Sequence, residues 1–285
     1  MMPLSRKVET PHRESFREEL EPDIFRSTPI LVDLPTGRGV NHLLASHTPA
    51  LQWSSIPQLP RAPLEHPARP ETAASVFECD PAGLAAEQFR LMQRRLANLR
   101  PDGGSVLLTS PGTGDGKSLN AHNLAWALAE ANHNTLLLEL DLRRPSQAKY
   151  LRANPDESIV SVLNGSATSA SAVRHVGDAP LYFIGQGYPV QNPSALLRSD
   201  ALRELMSWAL RNFAWVVVDA PPVLPIADVE ELLPIIDLVL LVVRERATPR
   251  GVVQRAAERL GNRLNYLIFN DVALSSTYGY GYAYS

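Results

Sequence analysis

The sequence predicts a three-layer α/β fold with a mostly parallel central sheet, and three observations predict it. From residue 105 onward, short apolar runs alternate with helical patterns. The runs are apolar at nearly every position, which means burial on both faces of a sheet. One run leads directly into the glycine-rich loop Ser110-Pro111-Gly112-Thr113-Gly114-Asp115-Gly116-Lys117-Ser118, and a helical pattern follows it. Strands separated by helices need crossovers, and right-handed crossovers build a parallel sheet that binds ligands at its C-terminal ends.

In chain order, residues 1–76 differ from the rest. They hold 11 of the 24 prolines, so they cannot sustain a helix or a central strand. They are expected to form a disordered or extended leader, with a short docking segment near Ile30, Leu31 and Val32. A domain over 77–273 follows. Asp80 and Pro81 suit the N-cap and first position of a helix reaching about residue 98. Leu84, Phe89, Leu91, Met92, Leu96 and Leu99 supply its apolar side. Strands are expected over 106–109, 135–140, 181–184, 215–218, 238–243 and 266–269, and helices over 120–131, 194–212 and 249–262. No internal repeat is visible. Residues 274–285 form a separate tail.

Composition narrows the function classes. The 285 residues are 45% hydrophobic and 20% charged, enough for a sizeable core. A formal charge of −3 gives no reason to expect nucleic-acid binding. The single cysteine, Cys79, excludes an internal disulfide framework and fits a reducing compartment. No signal peptide is recognisable, and the apolar run 238–243 has only strand length. A cytoplasmic protein that meets a membrane only through a partner is therefore expected. Four of the seven histidines fall in the leader and none has metal-ligand spacing, so no zinc site is assigned.

Strand, glycine-rich loop, Gly-Lys-Ser and helix is the layout of a phosphate-binding P-loop. Gly112, Gly114 and Gly116 let backbone N–H groups turn inward around phosphate oxygens, with Thr113, Asp115 and Leu119 completing the contact stretch. Lys117 places a charge near the β- and γ-phosphates, and Ser118 offers a hydroxyl to Mg²⁺. The strict pattern has Gly where this chain has Pro111, and Gly-Lys-Ser alone also fits an ordinary turn before a helix.

Two strands end in acids. In Glu139-Leu140-Asp141-Leu142-Arg143, Glu139 and Asp141 share one side of an extended chain. In Asp219-Ala220-Pro221-Pro222, Asp219 sits at the tip of a buried strand, where a carboxylate is costly without a cation or donors. Mg²⁺ takes such carboxylates together with phosphates and water. Each acid also fits the role of cap for a following helix, but three acids at two strand ends beside Gly-Lys-Ser favour the metal. Arg143 and Arg144 suit phosphate or a structural ion pair. Asn270 suits adenine contact or a turn. Trp126 and Trp215 read as core residues.

These motifs resemble the Walker A, A′ and B set of the bacterial tyrosine kinases, P-loop autokinases that work with membrane proteins in capsule and exopolysaccharide export. The resemblance spans roughly residues 80–285 and includes Asn123-Leu124-Ala125, Asn192-Pro193 and Asp228. It implies ATP and Mg²⁺ as cofactors and Lys117, Glu139, Asp141 and Asp219 as catalytic residues. Either Asp141 or Glu139 would be the base, and Ser118, Asp141 and Asp219 would hold the metal. Glu139 stands where the family has Asp. The chain ends with Tyr278, Tyr280, Tyr282 and Tyr284 alternating with small residues. By itself this reads as a stacking segment or as a set of accessible hydroxyls, and the resemblance makes it the phosphoacceptor. The stretch Glu87-Gln88-Phe89-Arg90-Leu91-Met92-Gln93-Arg94 resembles the family's ring-contact helix, with Gln93 at its third position, and implies a homo-oligomer. A membrane polysaccharide co-polymerase or adaptor on a separate chain is implied as partner, which would hold the protein at the inner face of the membrane. An ATP-binding regulatory switch of the same fold is the alternative. A DNA-partitioning ATPase is disfavoured, because Gly112 occupies the position of that group's signature lysine.

Overall fold

The computed structural model describes residues 28–33, 75–152 and 158–272. The tyrosine segment, and the leader apart from 28–33 and 75–76, lie outside these residues. The first half contains β1 (Thr28–Asp33), α1 (Val76–Cys79), α2 (Leu84–Leu99), β2 (Gly104–Thr109), α3 (Lys117–Glu130), β3 (Thr135–Glu139) and α4 (Gln147–Tyr150). Next come α5 (Ile159–Leu163), α6 (Ser169–Ala172), β4 (Arg174–Val176), β5 (Leu181–Ile184), α7 (Pro193–Leu197) and α8 (Asp200–Asn212). The chain continues through β6 (Trp215–Asp219), α9 (Asp228–Leu232), β7 (Leu238–Arg244), α10 (Arg250–Leu260) and β8 (Leu264–Val272).

The strands form one sheet in the order β1-β8-β7-β2-β6-β3-β5-β4. The inner six run parallel, and β1 and β4 join the two edges antiparallel. Strand β2 lies between β6 and β7, where the chain order reverses, which is where this class of sheet binds its ligand. Side chains alternate between faces along each strand. Leu107, Leu136, Leu138, Val216 and Val218 join one core with α8 and α10, whereas Val106, Leu108, Leu137 and Val217 join a second core with α2 and α3. This makes the three layers the apolar runs predicted.

Three local expectations are corrected. Asp80 does not cap α2: it closes α1, the chain turns through Gly83, and Gly83 is the N-cap. Leu84, Leu91 and Leu99 do not belong to the buried side of α2, which is Ala86, Phe89, Met92, Gln93 and Leu96; the three leucines are exposed. The expected helix 194–212 is two helices broken at Arg198 and Ser199, because Pro193 opens α7 and the Ser199 backbone is extended before α8. Within the leader, β1 pairs with β8, its Leu31 reaches the α2–α3 core, and Arg95 Nη1 donates to the Leu31 carbonyl at 3.1 Å.

Candidate active site

The loop between β2 and α3 is shaped by two glycines in the left-handed region, Gly114 (φ +88°) and Gly116 (φ +89°). Gly116 has a second constraint: a Cβ there would come within 2.1 Å of Asn270 Nδ2. Gly112 N donates to Asp115 Oδ2 at 3.0 Å, and the other Asp115 oxygen accepts from Thr248 Oγ1 at 2.6 Å. Asn270 Nδ2 donates to the Asp115 carbonyl at 3.1 Å. Asn270 thus ties β8 to the loop through one N–H of its amide. Thr113 and Gly114 are exposed at the mouth, while Leu119 is half-buried in the first turn of α3. The first N–H groups of a helix have no intrahelical acceptor, so α3 presents donors and a positive dipole end there.

Lys117 lies at the meeting point of three strand ends. Its Nζ is 2.6 Å from Asp141 Oδ2, 3.3 Å from Asp219 Oδ1 and 3.0 Å from Ser118 Oγ. Ser118 Oγ donates to Asp219 Oδ1 at 3.1 Å. Burial opposes the Lys117 charge, but the Asp219 and Asp141 carboxylates outweigh it and raise its pKa. The register makes this convergence unavoidable: β6 pairs with both β2 and β3, so Leu108 and Glu139 flank Asp219. The Asp219 carbonyl then accepts the N–H groups of Leu140 and Asp141, at 2.8 and 3.0 Å, and carries the Asp141 segment over the loop.

Glu139 faces a different set of donors. It is fully buried, and its Oε1 accepts the N–H groups of Ser146 and Gln147 at 2.5 and 2.7 Å. Its Oε2 accepts from Gln186 N at 3.1 Å. Burial, and then the neighbouring Asp219 charge, push its pKa up to about 7 against the pull of these N–H groups. Arg143 is taken by a structural ion pair: its Nε is 2.8 Å from Asp228 Oδ2, and Ser194 bridges the two side chains.

Two residues of the site carry no sequence signal. Gln147 Nε2 donates to Asp219 Oδ2 and to the Ser118 carbonyl, both at 2.8 Å. Thr248 braces the loop through Asp115. A lone amide or hydroxyl outside the motifs has no spacing that marks it.

The oxygens fit a hard divalent cation. Ser118 Oγ, Asp219 Oδ1 and Asp141 Oδ2 all surround the point now held by the Lys117 ammonium. Mg²⁺ is held by one or two carboxylates together with phosphate and water. Among the described residues no group of three or more His, Cys, Asp or Glu forms a ready-made centre, so an ion here would complete its shell from a nucleotide.

No family model matches the chain. The tyrosine-protein kinase YwqD of Bacillus subtilis is 30% identical over 208 residues, covering 71% of this chain and 88% of the relative. The tyrosine-protein kinase Etk of Escherichia coli is 27% identical over 208 residues, 71% of this chain, but only 29% of that longer protein is spanned. Among solved structures, the kinase domain of VpsO superposes with a TM-score of 0.60 at 30% identity, covering 64% of this chain and 91% of that one. With the loop lysine, the paired strand-end aspartates and these relatives together, the chain belongs to the bacterial tyrosine kinases, P-loop enzymes that phosphorylate protein tyrosines.

Proposed function

We propose that this chain is an ATP- and Mg²⁺-dependent protein-tyrosine autokinase whose acceptors are Tyr278, Tyr280, Tyr282 and Tyr284. It would serve capsular or exopolysaccharide polymerisation or export, as a homo-oligomer held at the inner face of the membrane by a separate adaptor chain. The observation that carries the proposal is the meeting of Lys117, Ser118, Asp141 and Asp219 at the C-terminal ends of β2, β3 and β6. Among the described residues no helix is long and apolar enough to cross a membrane.

In this mechanism the loop N–H groups and Lys117 receive the β- and γ-phosphates, which draws the ammonium away from Asp141. Asp141 is then free to accept the tyrosyl proton. A tyrosine hydroxyl has an unperturbed pKa near 10, so it needs this acceptor as its oxygen bonds to the γ-phosphorus and ADP leaves. Ser118 and Asp219 would hold Mg²⁺, which supplies charge neutralisation for the transferring phosphoryl group. Glu139 is the weaker candidate for base, since three backbone N–H groups engage its carboxylate. The cavity of about 670 Å³ beside Thr248, floored by Val243, Val253 and Phe269 and rimmed by Arg244 and Arg246, offers room for the base of the nucleotide.

Incubation with γ-labelled ATP and Mg²⁺ tests this. The wild type should become labelled on tyrosine. A variant with Phe at all four tail positions should bind ATP normally and incorporate almost no phosphate. Label found mainly on Tyr150, Tyr182, Tyr188 or Tyr266 would refute the acceptor assignment.

A further inference from the structure

On the phosphoryl-transfer reading above, we propose that Gln147 is a positioning residue for Asp219, and that Glu139 holds Gln147 in place. Gln147 is fully buried at the start of α4. A side-chain amide has two N–H donors, and the two bonds from Nε2 employ both. One goes to Asp219 Oδ2 and the other to the Ser118 carbonyl, each at 2.8 Å. With Oδ2 anchored, Oδ1 is left toward Ser118 Oγ and Lys117 Nζ. One neutral group therefore fixes both the carboxylate of β6 and the first turn of α3. An amide suits this place because it donates twice in one plane and adds no charge to compete with Lys117. A glutamate would set another carboxylate against Asp219. A methionine would keep the bulk and leave Oδ2 without its donor.

The acid at 139 explains how Gln147 is held. Glu139 and Asp219 are direct partners in the β3–β6 register, yet their carboxylates have different tasks. Glu139 Oε1 binds the backbone of Ser146 and Gln147, which fixes where the Gln147 side chain starts. Its Oε2 binds Gln186 N, and a Cβ added at Gly185 would come within 2.9 Å of that oxygen. The nearer atoms there belong to the Phe183 ring, at 2.2 and 2.5 Å, so Gly185 leaves room for both side chains. An aspartate, one methylene shorter, would draw the carboxylate back from the 146–147 backbone. The result is a relay of contacts from Glu139 through Gln147 to Asp219 and Ser118. It gives the glutamate a bracing task in place of direct metal contact.

The test uses the full chain, a fluorescent ADP analogue and Mg²⁺. Nucleotide affinity is titrated with and without metal for the wild type, Gln147→Met, Glu139→Gln and the double variant, with thermal melts for each. Removal of an outer-shell partner costs about 10–100-fold in metal affinity. Half-saturating Mg²⁺ should therefore rise by about that factor in Gln147→Met, over and above any change in its metal-free nucleotide affinity. The double variant should be no worse than Gln147→Met, because residues acting as a unit are non-additive. A residue that only supports the fold would lower the melting temperature and leave the Mg²⁺ requirement unmoved. If Gln147→Met does not fold, Gln147→Asn, whose amide is one carbon short, carries the same expectation. An unchanged Mg²⁺ requirement beside a normal wild-type response overturns the inference alone. No Mg²⁺-dependent binding in the wild type would bring down the phosphoryl-transfer reading and this inference with it.

Discussion

Two clusters of opposite charge flank α3, and they are built differently. At its N-terminus Lys117 meets Asp141 and Asp219, and all three side chains are almost wholly removed from water. At its C-terminus Glu130 takes Arg90 of α2 through two parallel bonds, Nε to Oε2 at 2.7 Å and Nη2 to Oε1 at 2.6 Å. Glu87 and the Pro81 carbonyl add further contacts to the same guanidinium. This second cluster is wet, with Glu130 42% and Glu87 53% exposed. Burial decides what each can do. A buried charge left without its partner costs about 3–5 kcal/mol, whereas an exposed pair contributes about 0–1 kcal/mol. The first cluster is held ready for an incoming anion that can replace Asp141 as the partner of Lys117. The second clamps α2 onto α3 and is already satisfied within one chain.

The largest difference between the two should appear on mutation of the dry cluster. Lys117→Met is expected to bring tyrosine labelling to background in a folded protein, a loss of at least about 10²-fold, the size for removing one preorganised charge donor. Labelling at the wild-type rate would exclude Lys117 from the phosphate site. Asp219→Asn keeps the shape and removes one charge beside Ser118. It should lower kcat by a comparable factor and raise the Mg²⁺ requirement. Equal turnover in the variant and wild type would remove Asp219 from the metal's surroundings.

A smaller effect belongs to the floor of the dry side. His122 is fully buried near Gln147 and between Trp126 and Tyr150, and burial pushes its pKa down to about 4. The unfolded chain would bind a proton there near pH 6.5, so between pH 6.5 and 4 the unfolded state holds more protons than the folded one. Stability tied to neutral His122 is complete above pH 6.5 and is lost as pH falls toward 4. Denaturant titrations should show wild type losing about 3 kcal/mol relative to His122→Gln across that window. Parallel curves for the two proteins would contradict the assigned burial of a neutral ring.

The smallest effect is expected at the wet cluster. Arg90→Ala and Glu130→Ala should each lower stability by about 1 kcal/mol or less, to a similar extent, and leave nucleotide affinity unaltered. Light scattering on Glu87→Ala/Arg90→Ala in Mg-ATP sharpens the comparison. A smaller assembly is expected if this helix also meets a neighbour. Unchanged mass would place the subunit contact elsewhere, with the exposed Leu84, Leu91 and Leu99 of the same helix as the next surface to alter.

What was legible in the sequence follows the same division between pattern and contact. Five of the six inner strands were readable because burial on both faces leaves continuous apolar runs, and β8, only partly buried, was readable from its short apolar stretch 266–269. Asp141 and Asp219 were readable because a charge at the end of such a run needs a reason. The edge strands were less so: β1, in a proline-rich stretch, was legible only as a docking segment near Ile30–Val32, and β4 is only three residues long. The break at Ser199 was hidden because 194–212 keeps helical periodicity across it. The exposed side of α2 was misread because its leucines are as apolar as the buried ones. Glu139 was visible as an acid, but its engagement by three backbone N–H groups depends on where 146, 147 and 186 return in space. Gln147 and Thr248 had no signal, since one amide or hydroxyl acts here only through a neighbour supplied by another strand.

The most direct measurement is a crystal structure of the chain with Mg²⁺ and a non-hydrolysable ATP analogue. Lys117 Nζ now stands 2.6 Å from Asp141 Oδ2. The predicted result has Lys117 withdrawn from Asp141 onto the β- and γ-phosphates, the metal held by Ser118 and Asp219, and the Asp141 carboxylate open toward the γ-phosphate. A structure in which nucleotide binds elsewhere and the Lys117–Asp141 pair stays closed would contradict the assignment of this corner as the phosphoryl-transfer site.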